Sequence, residues 1–181
     1  MPSANTKRRT GEGGFSILEM MFATIILLVG LVAIAQLVPA TILMNYRNRM
    51  DSSALVFAQR ELDQMLDQPL NAPGAPPQFT DAQLNICYLG SPASPNTVQG
   101  SPVVVLNNQA LINWAATPVP NFSFTSLDPT DPSGATYDVR WAVIITGNGT
   151  NVSAKRIILG VRQQGGNGYF QPITLDTVVQ K

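Results

Sequence analysis

The chain has 181 residues, a length that suits one membrane segment with one small domain, and its 11 basic and 11 acidic side chains give no net charge. A neutral chain gives no electrostatic basis for general nucleic-acid binding. It contains no histidine, which excludes Ser-His-Asp and Cys-His catalysis and histidine-based zinc sites. We therefore expect neither an enzyme nor a cofactor-dependent protein.

The first 14 residues form a short polar segment that contains Lys7, Arg8 and Arg9 and ends in two glycines. An ordinary secretory signal has an apolar core of about 7–15 residues followed by a small-residue cleavage site. Here the apolar run that follows is longer, and no such site comes directly after it. The segment is therefore predicted to be a different kind of leader, kept on the cytoplasmic side by its cations.

A long uncharged run follows this leader. The 27 residues from Met20 to Tyr46 carry no charge, and a helix of about 20 apolar residues crosses a bilayer. A single carboxylate, Glu19, stands just before the run, where it is costly in lipid and therefore indicates function. Residues 15–46 are predicted to be the membrane-spanning part of a helix over 15–67. Within it, Pro39 lacks an amide hydrogen and is expected to produce a kink.

The second half of the predicted helix, residues 47–67, is amphipathic. Its apolar side chains recur at spacings of three and four, with charged side chains between them. This pattern predicts a helix with one apolar stripe that packs on a sheet. Pro69 ends the helix, because the residue before a proline is disfavoured in helical geometry. The predicted stripe consists of Met50, Ala54, Phe57, Ala58, Leu62, Met65 and Leu66.

Residues 69–102 are rich in proline, glycine and small polar residues, which predicts a long connection between helix and sheet that holds no long element. A short helical turn near Asp81–Leu84 is compatible with this composition. Cys87 is the only cysteine, so no intramolecular disulfide can form. We expect its side chain to be half-buried rather than a reactive thiol.

Residues 103–181 carry the strand signals. Three long strands are predicted to form an antiparallel meander, preceded by one or two shorter strands. In the first long strand, alternate apolar residues from Tyr137 to Ile145 share one face, with Asp138 and Arg140 on the other. In the second, Ile157, Leu159 and Val161 face inward. The predicted strands are 103–106, 111–115, 121–125, 137–146, 155–163 and 170–179, with turns at 107–108, 147–149 and 165–168.

Two kinds of short motif in this region resemble ligand sites. The glycine clusters at 147–149 and 165–168 neither follow a strand nor open a helix, so they are interpreted as turns rather than phosphate loops. Asp128 and Asp131, followed by Gly134, lack the spacing of a calcium loop. We expect a proline-rich turn there and no metal site.

The residues Gly13-Gly14-Phe15-Ser16-Ile17-Leu18-Glu19-Met20, with the apolar run to Val38, resemble the amino terminus of the type IV pilin superfamily. The resemblance implies a pilin-like α+β fold, in which the long helix packs on an antiparallel sheet. It implies cleavage between Gly14 and Phe15 by a prepilin peptidase and methylation of the new Phe15 amine. It also implies that Glu19 pairs with that amine on a neighbouring subunit, although pairing within one chain is an alternative.

The same resemblance implies partners and a location. These are the peptidase, other pilin or pseudopilin subunits and an assembly platform in the bacterial inner membrane, with residues 47–181 in the periplasm before filament assembly. The segment Phe15–Leu37, followed by the strand Tyr137-x-Val139-x-Trp141 and the strand Lys155-Arg156-Ile157, resembles PilV-type minor pilins, which implies a role in assembly priming or at the tip. A minor pseudopilin of a type II secretion system is the first alternative. A major pilin is less favoured without a disulfide pair. The rival class is a single-pass membrane protein that keeps its leader and carries a periplasmic binding domain.

Overall fold

The computed structural model describes residues 14–71, 77–127, 136–164 and 171–180. Within these ranges the chain forms one helix followed by nine strands, all paired antiparallel. The chain divides into two compact units, Met1–Asn45 and Tyr46–Lys181. The coarse α+β layout predicted from the sequence is therefore confirmed.

The helix α1 covers Ile17–Leu66 and runs through both Gly30 and Pro39. Its end at Leu66 lies one residue before the predicted end. In the second unit one face of α1 is buried, because positions three and four apart fall on the same side of a helix. Five of the seven predicted stripe residues are fully buried, while Leu62 and Leu66 are only half-buried. The prediction missed Glu61, which lies in the middle of this buried face.

The strands are β1 (Gln78–Thr80), β2 (Ile86–Tyr88), β3 (Val98–Gly100), β4 (Val103–Leu106), β5 (Gln109–Ile112), β6 (Ser123–Leu127), β7 (Thr136–Gly147), β8 (Val152–Gln164) and β9 (Ile173–Gln180). The strands β7, β8 and β9 form the predicted meander. Two short strands, β3 and β6, both pair with the remaining edge of β7. The predicted strand at 121–125 begins later, because Asn121 adopts a positive φ of 63° in the preceding turn.

The main core lies between the sheet and the second half of α1. The alternate residues of β7 from Tyr137 to Ile145 are buried there, as predicted, and so are the three inward residues of β8. The centre of this layer is Trp141, which lies opposite Leu159 in the register. Its indole Nε1 donates a hydrogen bond to the Tyr88 carbonyl at 2.8 Å, so its one polar atom is satisfied.

The other face of the sheet is covered as well. The hairpin β4–β5 places Ile112 against Ala142 and Ile158. A Cβ on Gly160 would lie 2.8 Å from the Ile112 Cγ1 atom, so the glycine permits this close approach. Asp138 and Arg140 lie on this face, as predicted, and are buried rather than exposed to solvent, with Trp114 after β5 over the Arg140 guanidinium.

The region 69–102 was predicted to be a connection, and the structure corrects this. It contains the hairpin β1–β2 and the strand β3, each strand only three residues long. The helical turn expected near Asp81–Leu84 is reduced to one hydrogen-bonded turn without a helix, in which the Leu84 amide donates to the Asp81 carbonyl at 3.1 Å. The Asp81 carboxylate Oδ1 also accepts the amides of Gln83 at 2.9 Å and Asn85 at 2.7 Å, which closes the hairpin loop.

The turns at 107–108 and 147–149 lie where the sequence predicted them. Asn107 and Asn108 both adopt positive φ and join β4 to β5. The turn at 147–149 joins β7 to β8, with Gly149 at a φ of 88°. The turn predicted at 165–168, the residues Asp128, Asp131 and Gly134, and residues 1–13 of the predicted leader lie outside the described residues.

Candidate functional site

The candidate site is the first turn of α1. The Ser16 hydroxyl oxygen accepts a hydrogen bond from the Glu19 amide at 3.1 Å, and the Ser16 carbonyl accepts one from the Met20 amide at 3.1 Å. These bonds make Ser16 the N-cap and Glu19 the third residue of the helix. Ser-x-x-Glu before an apolar run is the capping-box pattern. The sequence analysis treated Ser16 only as a spacer, although this pattern would have located the start of the helix.

The Glu19 side chain lies where the helix favours a negative charge. The free amides of the first turn give the helix start a partial positive charge, which stabilises a nearby carboxylate by about 0.3–1 kcal/mol. Glu19 is exposed, and no described side chain pairs with its carboxylate. Gly14 and Phe15 immediately before it are also exposed, and no described atom approaches the Gly14 Cβ position within 4 Å. The turn therefore presents an acceptor that another molecule can reach.

The apolar segment after this turn is exposed on every side. All of residues 14–49 are exposed, and α1 contains a window with a mean hydropathy of 2.6, long and apolar enough to span a membrane. Its two threonine hydroxyls are satisfied within the helix, because Thr24 donates to the Met20 carbonyl at 3.0 Å and Thr41 donates to the Leu37 carbonyl at 2.8 Å. A helix that is apolar all round requires a covering of lipid or of other apolar helices.

Pro39 lies inside this segment. It cannot donate a hydrogen bond to the Ala35 carbonyl, so one rung of the helix is missing there. The helix nevertheless continues on both sides of it. The kink expected from the sequence stays a prediction.

A second group of ionisable side chains lies between α1 and the β1–β2 hairpin. The Glu61 side chain is 1% exposed, and its carboxylate is 3.4 Å from the Arg60 Nε and 3.3 Å from the Gln64 Nε2. Burial raises the pKa of Glu61, although Arg60 beside it acts in the opposite direction. Gln64 also accepts the Ala82 amide at 2.8 Å, which ties the hairpin to the helix. Glu61 is spaced three and four residues from other members of the buried stripe. The sequence analysis omitted it from the stripe, although its spacing could have placed it there.

Cys87 is fully buried in this region, more deeply than the half-buried position expected. Burial, with Asp81 and Glu61 nearby, raises its thiol pKa to about 12. A nucleophilic cysteine requires a lowered pKa and access. The described residues contain no group of three or more His, Cys, Asp or Glu side chains that could hold a metal ion.

A third group lies on the opposite face of the sheet. The Arg140 guanidinium binds the Asp138 carboxylate through two bonds of 3.1 and 2.9 Å, and Arg162 adds a third bond of 3.0 Å. Both guanidinium groups lie over the Trp114 ring, at 5.1 and 4.6 Å from its centroid. Arg140 also donates to the Ala116 carbonyl at 2.8 Å. These contacts fasten the residues after β5 to the sheet, so we interpret the group as structural.

Comparison with known proteins gave no family model, curated protein or solved structure that matches this chain.

Proposed function

We propose that the chain is a minor pilin-like structural subunit that a prepilin peptidase processes and that is assembled into a type IV pilus. It acts in assembly priming or at the filament tip. The proposal is carried by one observation. The exposed carboxylate of Glu19 lies in the first turn of an exposed apolar helix, and the Gly14–Phe15 pair immediately precedes the residue that caps this helix. The resemblance of the segment from Gly13 to Val38 to the pilin superfamily supplies the biological setting.

The physical argument starts from the cost of the Glu19 charge. An ionised carboxylate without a partner is strongly disfavoured in hydrocarbon. Cleavage after Gly14 creates a cationic amine on Phe15, at the same end of the helix. Pairing between the amine of one subunit and the carboxylate of the next satisfies both charges. It also fixes the axial position of the helices, because apolar helices slide past each other at little cost.

Mass spectrometry of the amino terminus tests the processing step. The full chain is expressed in cells with and without a prepilin peptidase. We expect a mature chain that begins at Phe15, heavier by one methyl group, only when the peptidase is present. An intact amino terminus in both cells would refute the proposal and favour the rival class, a single-pass membrane protein with a periplasmic binding domain.

The Glu19→Gln variant tests the pairing. We expect normal processing but reduced incorporation into sheared filaments, because the amide cannot neutralise a cation. The matched control is Asp51→Asn, which removes the next exposed carboxylate along the same helix. Normal incorporation of the Glu19 variant would rule out the intersubunit pair. Pairing within one chain would be compatible with that result.

The proposed partners of the mature chain are the inner-membrane assembly platform and the other pilin subunits. A minor pseudopilin of a type II secretion system is processed in the same way and shares the helix features. It is distinguished by the filament in which the mature chain is found.

A further inference from the structure

The turn between β7 and β8 contains an Asn-Gly pair. Asn148 is exposed there, and Gly149 follows it with a φ of 88°, a conformation that favours glycine. No described atom lies within 4 Å of the Gly149 Cβ position, so the turn is open on this side. The other Asn-Gly pair of the chain, 167–168, lies outside the described residues.

The backbone nitrogen that follows Asn148 is available to react. Among the described residues, no hydrogen bond uses the amide hydrogen of Gly149. The second asparagine of the turn, Asn151, differs in this respect. The residue after it, Val152, is buried and donates its amide to the Asn71 side-chain oxygen at 3.0 Å. The two asparagines are therefore both exposed, but only the nitrogen next to Asn148 is free and unhindered by a side chain.

Two donors hold the side-chain carbonyl of Asn148. The Asn151 amide donates to Asn148 Oδ1 at 3.0 Å, and the Thr150 hydroxyl donates to the same oxygen at 3.3 Å. Donors on a carbonyl oxygen stabilise the negative charge that the oxygen gains when its carbon is attacked. The turn therefore activates the Asn148 Cγ atom and leaves the neighbouring nitrogen free.

We propose that the β7–β8 turn converts Asn148 to aspartate and isoaspartate through a cyclic succinimide, with Thr150 and Asn151 stabilising the charge on Oδ1. The Gly149 nitrogen gives its proton to hydroxide and attacks Asn148 Cγ, which closes a five-membered ring. The bond from Cγ to Nδ2 then breaks, and Nδ2 takes up a proton and leaves as ammonia. Water opens the ring at either of its two carbonyl carbons. No electrons are exchanged with another molecule.

The conversion changes the turn in two ways. It adds a carboxylate to a chain that has no net charge. The isoaspartate product also carries the side-chain methylene in the backbone, which lengthens the turn and strains the 3.2 Å hydrogen bond from the Asn148 amide to the Asn151 carbonyl. Because the reaction consumes only water, its extent increases with the age of the folded chain. It does not depend on filament assembly.

Peptide mass spectrometry of the full chain in detergent micelles tests the proposal. The folded chain is incubated at pH 7 and at pH 9, and samples are digested at low pH after increasing times. Conversion is detected as replacement of the side-chain amine by a hydroxyl, and fragmentation distinguishes isoaspartate from aspartate. We expect conversion at Asn148, faster at pH 9 because the attacking amide must lose its proton. Asn151, in the same peptide, should remain unchanged over the same period.

Two variants test the chemistry of the turn. Gly149→Ala places a methyl group beside the attacking nitrogen and should slow the conversion of Asn148 by about tenfold. Thr150→Val removes one donor to Oδ1 and should slow it by about threefold, the effect of a modest exposed hydrogen bond. The matched control is Ser153→Ala, whose hydroxyl donates to the Thr146 carbonyl at 2.9 Å rather than to Asn148. We expect the control to convert at the wild-type rate.

The wild-type chain alone can overturn the proposal. Equal conversion at Asn148 and Asn151 would show that the free nitrogen confers no selectivity. An intact Asn148 in the folded chain, under conditions in which a synthetic peptide of residues 141–155 converts, would show that the turn protects the asparagine. Wild-type kinetics in Thr150→Val, with circular dichroism showing a folded chain, would contradict the role of its hydroxyl.

Discussion

Lys155 is a buried cation in the core and gives the most direct test of the packing. It lies in β8 on the same face as Ile157, and it is 4% exposed. No described carboxylate or hydrogen-bond acceptor pairs with its ammonium group. Removal from water therefore lowers the pKa of Lys155 from 10.5 to about 8. At pH 7 the side chain is still mostly protonated, so the folded domain holds an uncompensated charge.

The size of the effect follows from the pKa. Each pKa unit corresponds to about 1.4 kcal/mol, and water that still reaches the ammonium group reduces the penalty, so the charged Lys155 destabilises the fold by about 1–3 kcal/mol at pH 7. Lys155→Met keeps a long apolar side chain and removes the charge. We expect the variant to be more stable than the wild type at pH 7 by about 1–3 kcal/mol.

The sign of the pH dependence follows from proton binding. Between pH 8 and 10.5 the unfolded chain keeps the Lys155 proton while the folded chain has lost it, so the stability of the wild type rises with pH in that window. Cys87 acts oppositely, because its pKa is raised from 9.0 to about 12 and stability falls as pH rises above 9. The difference between the wild type and the methionine variant isolates Lys155, because Cys87 is the same in both, and from pH 7 to pH 9 the wild type should gain about 1 kcal/mol that the variant lacks.

Urea unfolding of the full chain in detergent micelles measures these differences by tryptophan fluorescence. Both tryptophans, Trp114 and Trp141, lie in the second unit, so the signal reports that unit. The matched control is Arg156→Met at the adjacent position, whose exposed ion pair with Asp176 should contribute at most about 1 kcal/mol. A Lys155→Met variant less stable than the wild type at pH 7 would show that the ammonium has a stabilising partner and would refute the reasoning.

Three further predictions concern the core and its carboxylate. Phe57→Ala should destabilise the second unit by about 3–5 kcal/mol in the same urea assay, because the ring is fully buried and stacked on Tyr137 at 4.9 Å. Glu61→Gln should stabilise the second unit at pH 7, because it removes a buried charge. Burial raises the pKa of Glu61, so the wild type should gain stability relative to this variant as the pH falls from 7 towards 4.5. Gly100→Ala should lower the thermal midpoint by several degrees, because Gly100 has a φ of 97° and a Cβ would collide with the Phe122 ring.

Each of these predictions has a control within the chain. Val56→Ala removes an exposed neighbour of Phe57 and should change the stability by less than about 0.5 kcal/mol. Gly149→Ala also meets a positive φ, of 88°, but no described atom lies within 4 Å of its Cβ position, so its effect should be smaller than that of Gly100→Ala. A stability difference between Glu61→Gln and the wild type that does not change with pH would contradict the prediction for Glu61.

Local patterns in the sequence were sufficient for the long elements. The uncharged run from Met20 to Tyr46, the three-and-four spacing after it and Pro69 predicted α1 to within one residue of its end. The alternation in 137–146 and 155–163 predicted β7 and β8 and their buried faces, because side-chain direction in a strand depends only on sequence parity. Processing after Gly14, methylation of Phe15, the role of Glu19 and the pilus assignment stay predictions.

Other features depended on contacts between residues far apart in the chain. The sequence region 69–102 was expected to be a connection with no long element. The structure adds three-residue strands, one of which is held by β7, with Gln99 opposite Val143 in the register. A strand of three residues has too little local pattern to be recognised. The strand β3 forms because one edge of β7 is not occupied by β8 and can pair with it.

The same reason explains the buried charges. The sequence by itself determined which residues share a face of α1 or of a strand, because periodicity is a local property. Only the tertiary structure decided that the face carrying Asp138 is covered by the β4–β5 hairpin and that Glu61 and Lys155 lie in the protein interior. Burial depends on what packs against a face, and the packing partners of these charges come from elements distant in the sequence.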